Sequence, residues 1–199
     1  MVMNTLSNGR AANRGFTIVE LLIVIVVIAI LASITVVAYN GISDRSQASR
    51  KLTIASQYAR LLEMYKVDNG KYPDSISDSY PSGGETCLGT AQDYPAKDGY
   101  NAGDCLHSAD NTYLVGDSSA LRTALSKYGS LPSASYPTTM NGTESWRGFR
   151  YVYFGPSNGE ARVEWIYKGT DTSQCGRAIP STTGVGTVWC VLRLSPSGP

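Results

Sequence analysis

The chain has 199 residues, with 17 basic and 16 acidic side chains and a formal net charge of +1. That length suits one domain plus an extension, and the near-neutral balance gives no bulk attraction to nucleic acid or an anionic surface. Four cysteines (Cys87, Cys105, Cys175 and Cys190) without C-x-x-C spacing, and one histidine, argue against a zinc site and for two disulfides in an oxidising compartment.

The first element is apolar. Between residues 21 and 39 no side chain is charged, and only Ser33 and Thr35 are polar. At 1.5 Å per residue such a helix extends roughly 28 Å, close to the hydrocarbon thickness of a bilayer. Three readings compete for it. In the first, Arg10 and Arg14 lead a secretory signal cut after Ala38, although the apolar run exceeds the usual length of about 7–15 residues. In the second it is an uncut anchor, with Glu20 snorkelling to the interface. In the third a leader is cut between Gly15 and Phe16, and the apolar helix stays on the mature chain. Arg10 and Arg14 before the span are matched by Arg45, Arg50 and Lys51 after it, so positive charge does not orient it. The cysteines do, by placing the C-terminal portion outside the cytoplasm.

The stretch RGFTIVELLIVIVVIAIL resembles the prepilin signature of type IV pilins and the related pseudopilins. In that family a hydrophilic leader ends in Gly, the first mature residue is usually Phe, and a Glu stands fifth. Gly15, Phe16 and Glu20 occupy those places. The resemblance implies cleavage after Gly15 by a prepilin peptidase that also methylates the amine of Phe16. It further implies a helical homopolymer in which Glu20 faces the Phe16 amine of a neighbour. An isolated carboxylate in hydrocarbon is expensive, which gives such a pairing a driving force and a register. Many pilins carry a proline midway through the apolar helix; this chain has none before Pro73.

Residues 43–69 continue as an amphipathic helix. Ala48, Leu52, Ala55, Ala59 and Leu62 step by four and three, flanked by Ile54, Tyr58, Leu61 and Tyr65, while Arg45, Gln47, Ser49, Arg50, Ser56, Gln57 and Glu63 lie mostly opposite. Ser43 or Asp44 is placed to cap a fresh helix after a bend at Asn40–Gly41. Asn69-Gly70 with Pro73 beyond reads as the stop. YKVDNGKYP is similar to a stretch found at this point in pilins and in the major pseudopilin of type II secretion.

Beyond it, residues 71–111 read as a long loop rich in Gly, Asp, Tyr and Pro. Asp117 is expected to cap a short helix, SSALRTALSKYG. RGFRYVYF and EARVEWIYK alternate around GPSNG as a hairpin, and TVWCVLRL adds a strand. Ala161, Val163, Trp165 and Tyr167 share one face, with Arg162, Glu164 and Lys168 on the other. The cysteines pair by sequence neighbourhood as Cys87–Cys105 and Cys175–Cys190, one of three connectivities.

A search for chemistry finds no nucleophile constellation, phosphate loop or dinucleotide fingerprint, and no cofactor is expected. His107, the only imidazole, reads as a surface residue in a polar loop, and Asp74 and Asp78 lack an apolar setting. Asp98, Asn101 and Asp104 offer oxygens for calcium, without EF-hand spacing. Trp146, Arg147, Arg150 and Tyr151 form a weak candidate surface for single-stranded nucleic acid, and Asn141 begins a formal glycosylation triplet.

The fold class expected is α+β: a long N-terminal helix, transmembrane then amphipathic, under an antiparallel sheet of three or four strands, as in pilins. Four parts are expected: a leader at 1–15, a membrane and filament-core half-helix at 16–42, an amphipathic half at 43–69, and a disulfide-stapled head at 70–199. The function that follows is a non-catalytic subunit of a type IV pilus-like filament. It would be held in the membrane by lipid before assembly, served by an assembly platform and ATPase, and then found in an extracellular fibre. The alternatives are a pseudopilin of a secretion or competence machine, working in a periplasmic pseudopilus, and a membrane-tethered binding or adhesin domain. A secreted enzyme is the weakest.

Overall fold

The protein is described by a computed structural model over residues 17–76, 84–96, 99–108, 114–136, 139–141, 144–155, 159–183 and 186–194. The chain opens with α1 (Ile18–Asn69). Then come β1 (Glu85–Leu88), β2 (Leu106–Ser108), β3 (Leu114–Val115), α2 (Ser119–Ser126), β4 (Thr139–Asn141), β5 (Glu144–Trp146), β6 (Phe149–Tyr153), β7 (Ala161–Lys168), β8 (Ile179–Thr183) and β9 (Thr187–Arg193). Two compact units divide it, Met1–Asp44 and Arg45–Pro199. The architecture is α+β with antiparallel strands.

In the first unit the large apolar side chains of α1, from Ile18 to Ile34, are all between 48% and 78% exposed. Ser43 and Asp44 do not start a new helix, because both lie inside α1. A single glycine costs a helix only about 1 kcal/mol, and no proline is present to stop the hydrogen-bond ladder.

In the second unit, Ala48, Ile54, Ala55, Tyr58, Ala59, Leu61 and Leu62 are buried on one face of α1, the face that the four-three spacing defines. The helix ends as Asn69-Gly70 predicts. Gly70 has φ 73°, its N–H donates to the Lys66 carbonyl at 2.8 Å, and Asn69 Nδ2 donates to the Tyr65 carbonyl at 2.8 Å.

A five-stranded sheet, in the order β1-β6-β7-β9-β8, forms the main wall of the head. Its inner face presents Phe149, Tyr151, Tyr153, Ala161, Val163, Trp165, Tyr167, Val188, Cys190 and Leu192, all buried in one core with α1. The Tyr167 hydroxyl donates to the Ala48 carbonyl at 2.9 Å and joins sheet to helix. β8 is an edge strand. Its residues opposite Val191, Trp189 and Thr187 turn their amides inward, so Pro180 and Thr182 carry the outward-facing backbone.

A second sheet, β3-β2-β5-β4, is the main departure from expectation. Its strands are two or three residues long, too short to show period-two alternation, and β1 and β2 both lie where the sequence reads as loop. It covers part of the outer face of the large sheet. Trp146 of β5 meets Trp189 of β9 edge-on, with ring centres 5.4 Å apart. Arg162 and Lys168 reach toward solvent on that face as alternation predicts, but Glu164 is completely buried.

Disulfides join Cys87 to Cys105 and Cys175 to Cys190. The first ties β1 to the residue before β2, and so one sheet to the other. The second ties β9 to the 3-10 turn Thr172–Cys175. The cap of α2 differs from expectation: Ser118, not Asp117, accepts from the Leu121 amide at 3.2 Å. Asp117 instead pairs with Arg122.

Candidate functional site

The sequence concentrates its signal at the start of α1. Residues 18–35 form a helix long and apolar enough to cross a membrane, with none of it buried in the protein. Thr17 and Glu20 make a reciprocal cap. The Thr17 amide and hydroxyl both donate to Glu20 Oε2 at 2.8 Å, and the Glu20 amide donates back to Thr17 Oγ1 at 3.2 Å. The spacing is that of a capping box, in which two orphan donors of the first turn are satisfied reciprocally, the Thr17 amide by the Glu20 carboxylate and the Glu20 amide by the Thr17 hydroxyl. Gly15 and Phe16 lie outside the described residues.

The other candidates fare differently. Trp146, Arg147, Arg150 and Tyr151 are all at least nine-tenths buried, so they do not form a surface for nucleic acid. Of the calcium candidates, Asp98 lies outside the described residues. The Asn101 amide donates to Asp104 Oδ2 at 3.1 Å. Arg147 occupies this loop from within: it donates to the carbonyls of Asp104 at 2.6 Å, Pro95 at 2.5 Å and Asn101 at 3.0 Å. Carbonyls that a divalent cation would draw are thus engaged by a guanidinium. Among the described residues no three His, Cys, Asp or Glu gather as metal ligands. His107 sits on β2, half-buried, with its ring 5.1 Å from that of Tyr100, and so is not in a loop. Asp74 pairs at the surface with Lys71 at 3.8 Å, and Asp78 falls outside the described residues. Asn141 closes β4.

A buried ion pair and a buried amine also went unforeseen. Arg150 Nε donates to Glu164 Oε2 at 2.8 Å and its NH1 to Glu85 Oε2 at 2.8 Å, with the guanidinium 4.8 Å from the Trp146 ring and 5.1 Å from Trp189. Their facing positions in the β6–β7 hairpin were a usable signal, since alternation places Arg150 directly opposite Glu164. Lys51 of α1 donates to the Ile166 carbonyl at 2.8 Å and lies over the rings of Tyr136 and Tyr167, at 4.8 and 4.5 Å. Burial pushes its amine down to about 8. The helical pattern held a signal for it: Lys51 lies three residues after Ala48 and four before Ala55, in the middle of the apolar face, whereas its exposed neighbour Arg50 lies at that face's edge.

With the geometry in place, the similarity to known proteins concentrates in the first part of the chain. Residues 10–36 match the family model of the prokaryotic N-terminal methylation motif, which spans the start of α1 and the Gly15–Phe16 junction. The chain is similar to type II secretion system core protein G of Klebsiella michiganensis, 38% identical over 32% of this chain and 45% of that one. It is likewise similar to a type IV major pilin protein of Neisseria gonorrhoeae, 34% identical over 37% of this chain and 41% of that one. A fimbrial protein of Neisseria meningitidis is 33% identical over 37% of this chain and 39% of that one. Each match spans less than half the length of the relative. No solved structure matches the chain.

Proposed function

We propose that the chain is a structural subunit of a type IV pilus-like filament. A peptidase cuts it after Gly15 and methylates Phe16, and the subunits polymerise through the apolar half of α1. The observation that carries this is the coincidence, at one place, of the methylation motif, a wholly exposed apolar helix and a single carboxylate held at its first turn. Before assembly the subunit rests in the membrane with its disulfide-bonded head outside the cytoplasm. Once assembled, the heads coat a fibre whose interior is α1. Glu20 exchanges its contacts with Thr17 for the neighbour's Phe16 amine, and the chain itself performs no catalysis. Assembly draws on a membrane platform and an ATPase outside the subunit.

The similarity to type II secretion core protein G supports a second reading, a pseudopilin whose fibre stays in the periplasm. One experiment addresses both. Mass spectrometry of the N-terminal peptide from native envelopes is expected to begin at methylated Phe16. Electron microscopy of sheared surface material then separates the two, since detached fibres containing this chain support the pilin and their absence beside a processed chain supports the pseudopilin. A start at Tyr39, or at an uncut N-terminus, overturns the filament reading.

A further inference from the structure

The head carries a groove that the filament reading does not use. It lies between α1 and the end of β9, entirely within the second unit, with a cavity volume of about 310 Å³. Three arginines line it: Arg60 on α1, Arg177 after the 3-10 turn, and Arg193 of β9. All three residues are exposed. Ala59, Leu192 and Leu194 supply apolar lining between them.

The charges are only weakly answered within the chain. Glu63, the one carboxylate among the described residues of the groove, is engaged elsewhere: its Oε1 accepts from the Tyr72 hydroxyl at 2.6 Å and its Oε2 lies 3.9 Å from Lys66. Arg193 faces Glu160 at 3.8 Å with 62% of its side chain exposed, a contact that solvent screens. Arg177 is held by a hydrogen bond to Ser56 Oγ at 3.0 Å, which orients its fork without neutralising it. Arginine forks suit carboxylates and other planar oxyanions, and orienting one in advance lowers the entropy lost on binding.

We propose that this groove binds an extended acidic peptide segment of another protein. Three observations favour a peptide over other polyanions. Among the described residues no aromatic ring lines the groove, which offers neither a base nor a sugar a face to stack on. The apolar lining between the arginines suits side chains that alternate with carboxylates along an extended strand. β9 also runs past the residue that pairs with the first residue of β8, so the Arg193 backbone points beyond that strand toward the groove. The segment comes from another protein because nowhere in this sequence do two acidic residues stand two positions apart, as the alternation requires, and its described exposed carboxylates are scattered singly.

The site is independent of Glu20 and of processing, so it stands or falls apart from the filament reading. The test uses the full chain in detergent and fluorescence anisotropy of a labelled peptide alternating Glu and Ala. A peptide alternating Gln and Ala and an oligothymidylate of equal charge serve as controls. Binding of the Glu peptide alone is expected. R177Q should weaken it about tenfold, the effect of losing one charge-assisted hydrogen bond of about 1.4 kcal/mol, and R60Q/R177Q/R193Q should abolish it while the circular dichroism is unchanged. K127Q/K168Q, which removes exposed charge outside the groove, should leave it intact. No binding of the Glu peptide, equal binding of the oligothymidylate, or equal weakening by K127Q/K168Q would each overturn the proposal.

Discussion

Replacing Arg150 by Met should be among the most damaging single changes to the head. The guanidinium is 5% exposed and bridges Glu164, which is fully buried, and Glu85, which is 19% exposed. Methionine keeps much of the contact with Trp146 and Trp189 but takes from the buried Glu164 carboxylate the better-buried of its two ion-pair partners, leaving Arg162, which is 27% exposed. Removing one partner of a buried pair costs about 3–5 kcal/mol. At roughly 2–4 °C per kcal/mol for a chain of this size, the melting temperature should fall by about 6–20 °C. The double variant Arg150→Met/Glu164→Leu removes the stranded charge with its partner. Buried pairs exchanged for apolar residues are often neutral, so the double should recover all but about 1 kcal/mol, a coupling energy of at least about 2 kcal/mol. The assay is urea unfolding of the full chain in detergent, followed by tryptophan fluorescence, to which Trp146 and Trp189 beside the pair contribute. A single variant costing under about 1 kcal/mol, or a double variant whose loss is the sum of the singles, refutes the reasoning.

Three more outcomes follow from the same structure. Glu20→Ala should leave membrane insertion and head unfolding unchanged while fibre yield falls sharply, read by immunoblot of sheared material; normal fibres would show that the carboxylate is not needed for assembly. Lys51→Met tests a buried cation whose amine is lowered from 10.5 to about 8. A base lowered in the folded state costs stability fully below pH 8, and the cost fades as pH rises to 10.5. The shift corresponds to about 3 kcal/mol, against which the two tyrosine faces and the hydrogen bond to the Ile166 carbonyl return about 1 kcal/mol each. Lys51→Met should therefore be within about 1 kcal/mol of the parent at pH 7 and lose ground to it toward pH 10 in parallel urea titrations. Gly148→Ala would drive a methyl group into the Tyr94 ring, whose hydroxyl donates to the Leu88 carbonyl at 2.5 Å and cannot retreat without losing that bond. A loss of about 1–3 kcal/mol is expected from the same unfolding assay.

The helix and the main hairpin were legible because their signals are periodic and long. The four-three spacing from Ala48 to Leu62 and the alternation from Ala161 to Tyr167 each place a buried face correctly. The second sheet was not, because strands of two or three residues such as Leu114–Val115 and Leu106–Ser108 carry no period of their own and are held by neighbours distant in sequence. The misplaced basic-aromatic surface has the same origin. Arg147, Arg150 and Trp146 look solvent-facing until β5 folds over β6 and β7, and only then does Glu164 become a buried partner instead of a surface charge. The cap of α2 moved by one residue because Asp117 is drawn to Arg122, which leaves the Leu121 amide to Ser118.

The edge strand β8 bears on how heads tolerate crowding. Packed along a fibre, many copies of the large sheet would stand within reach of one another, and an open edge is a template on which strands of different molecules can zip together into insoluble aggregates. Pro180 falls at an outward-facing backbone position of that edge and has no N–H to offer, so the ladder is broken where a foreign strand would begin to pair. In the proposed fibre, growth is thereby left to the helix. On the filament reading the β-structure is kept out of the polymerisation chemistry, and a substitution at Pro180 would threaten solubility before it threatened the fold.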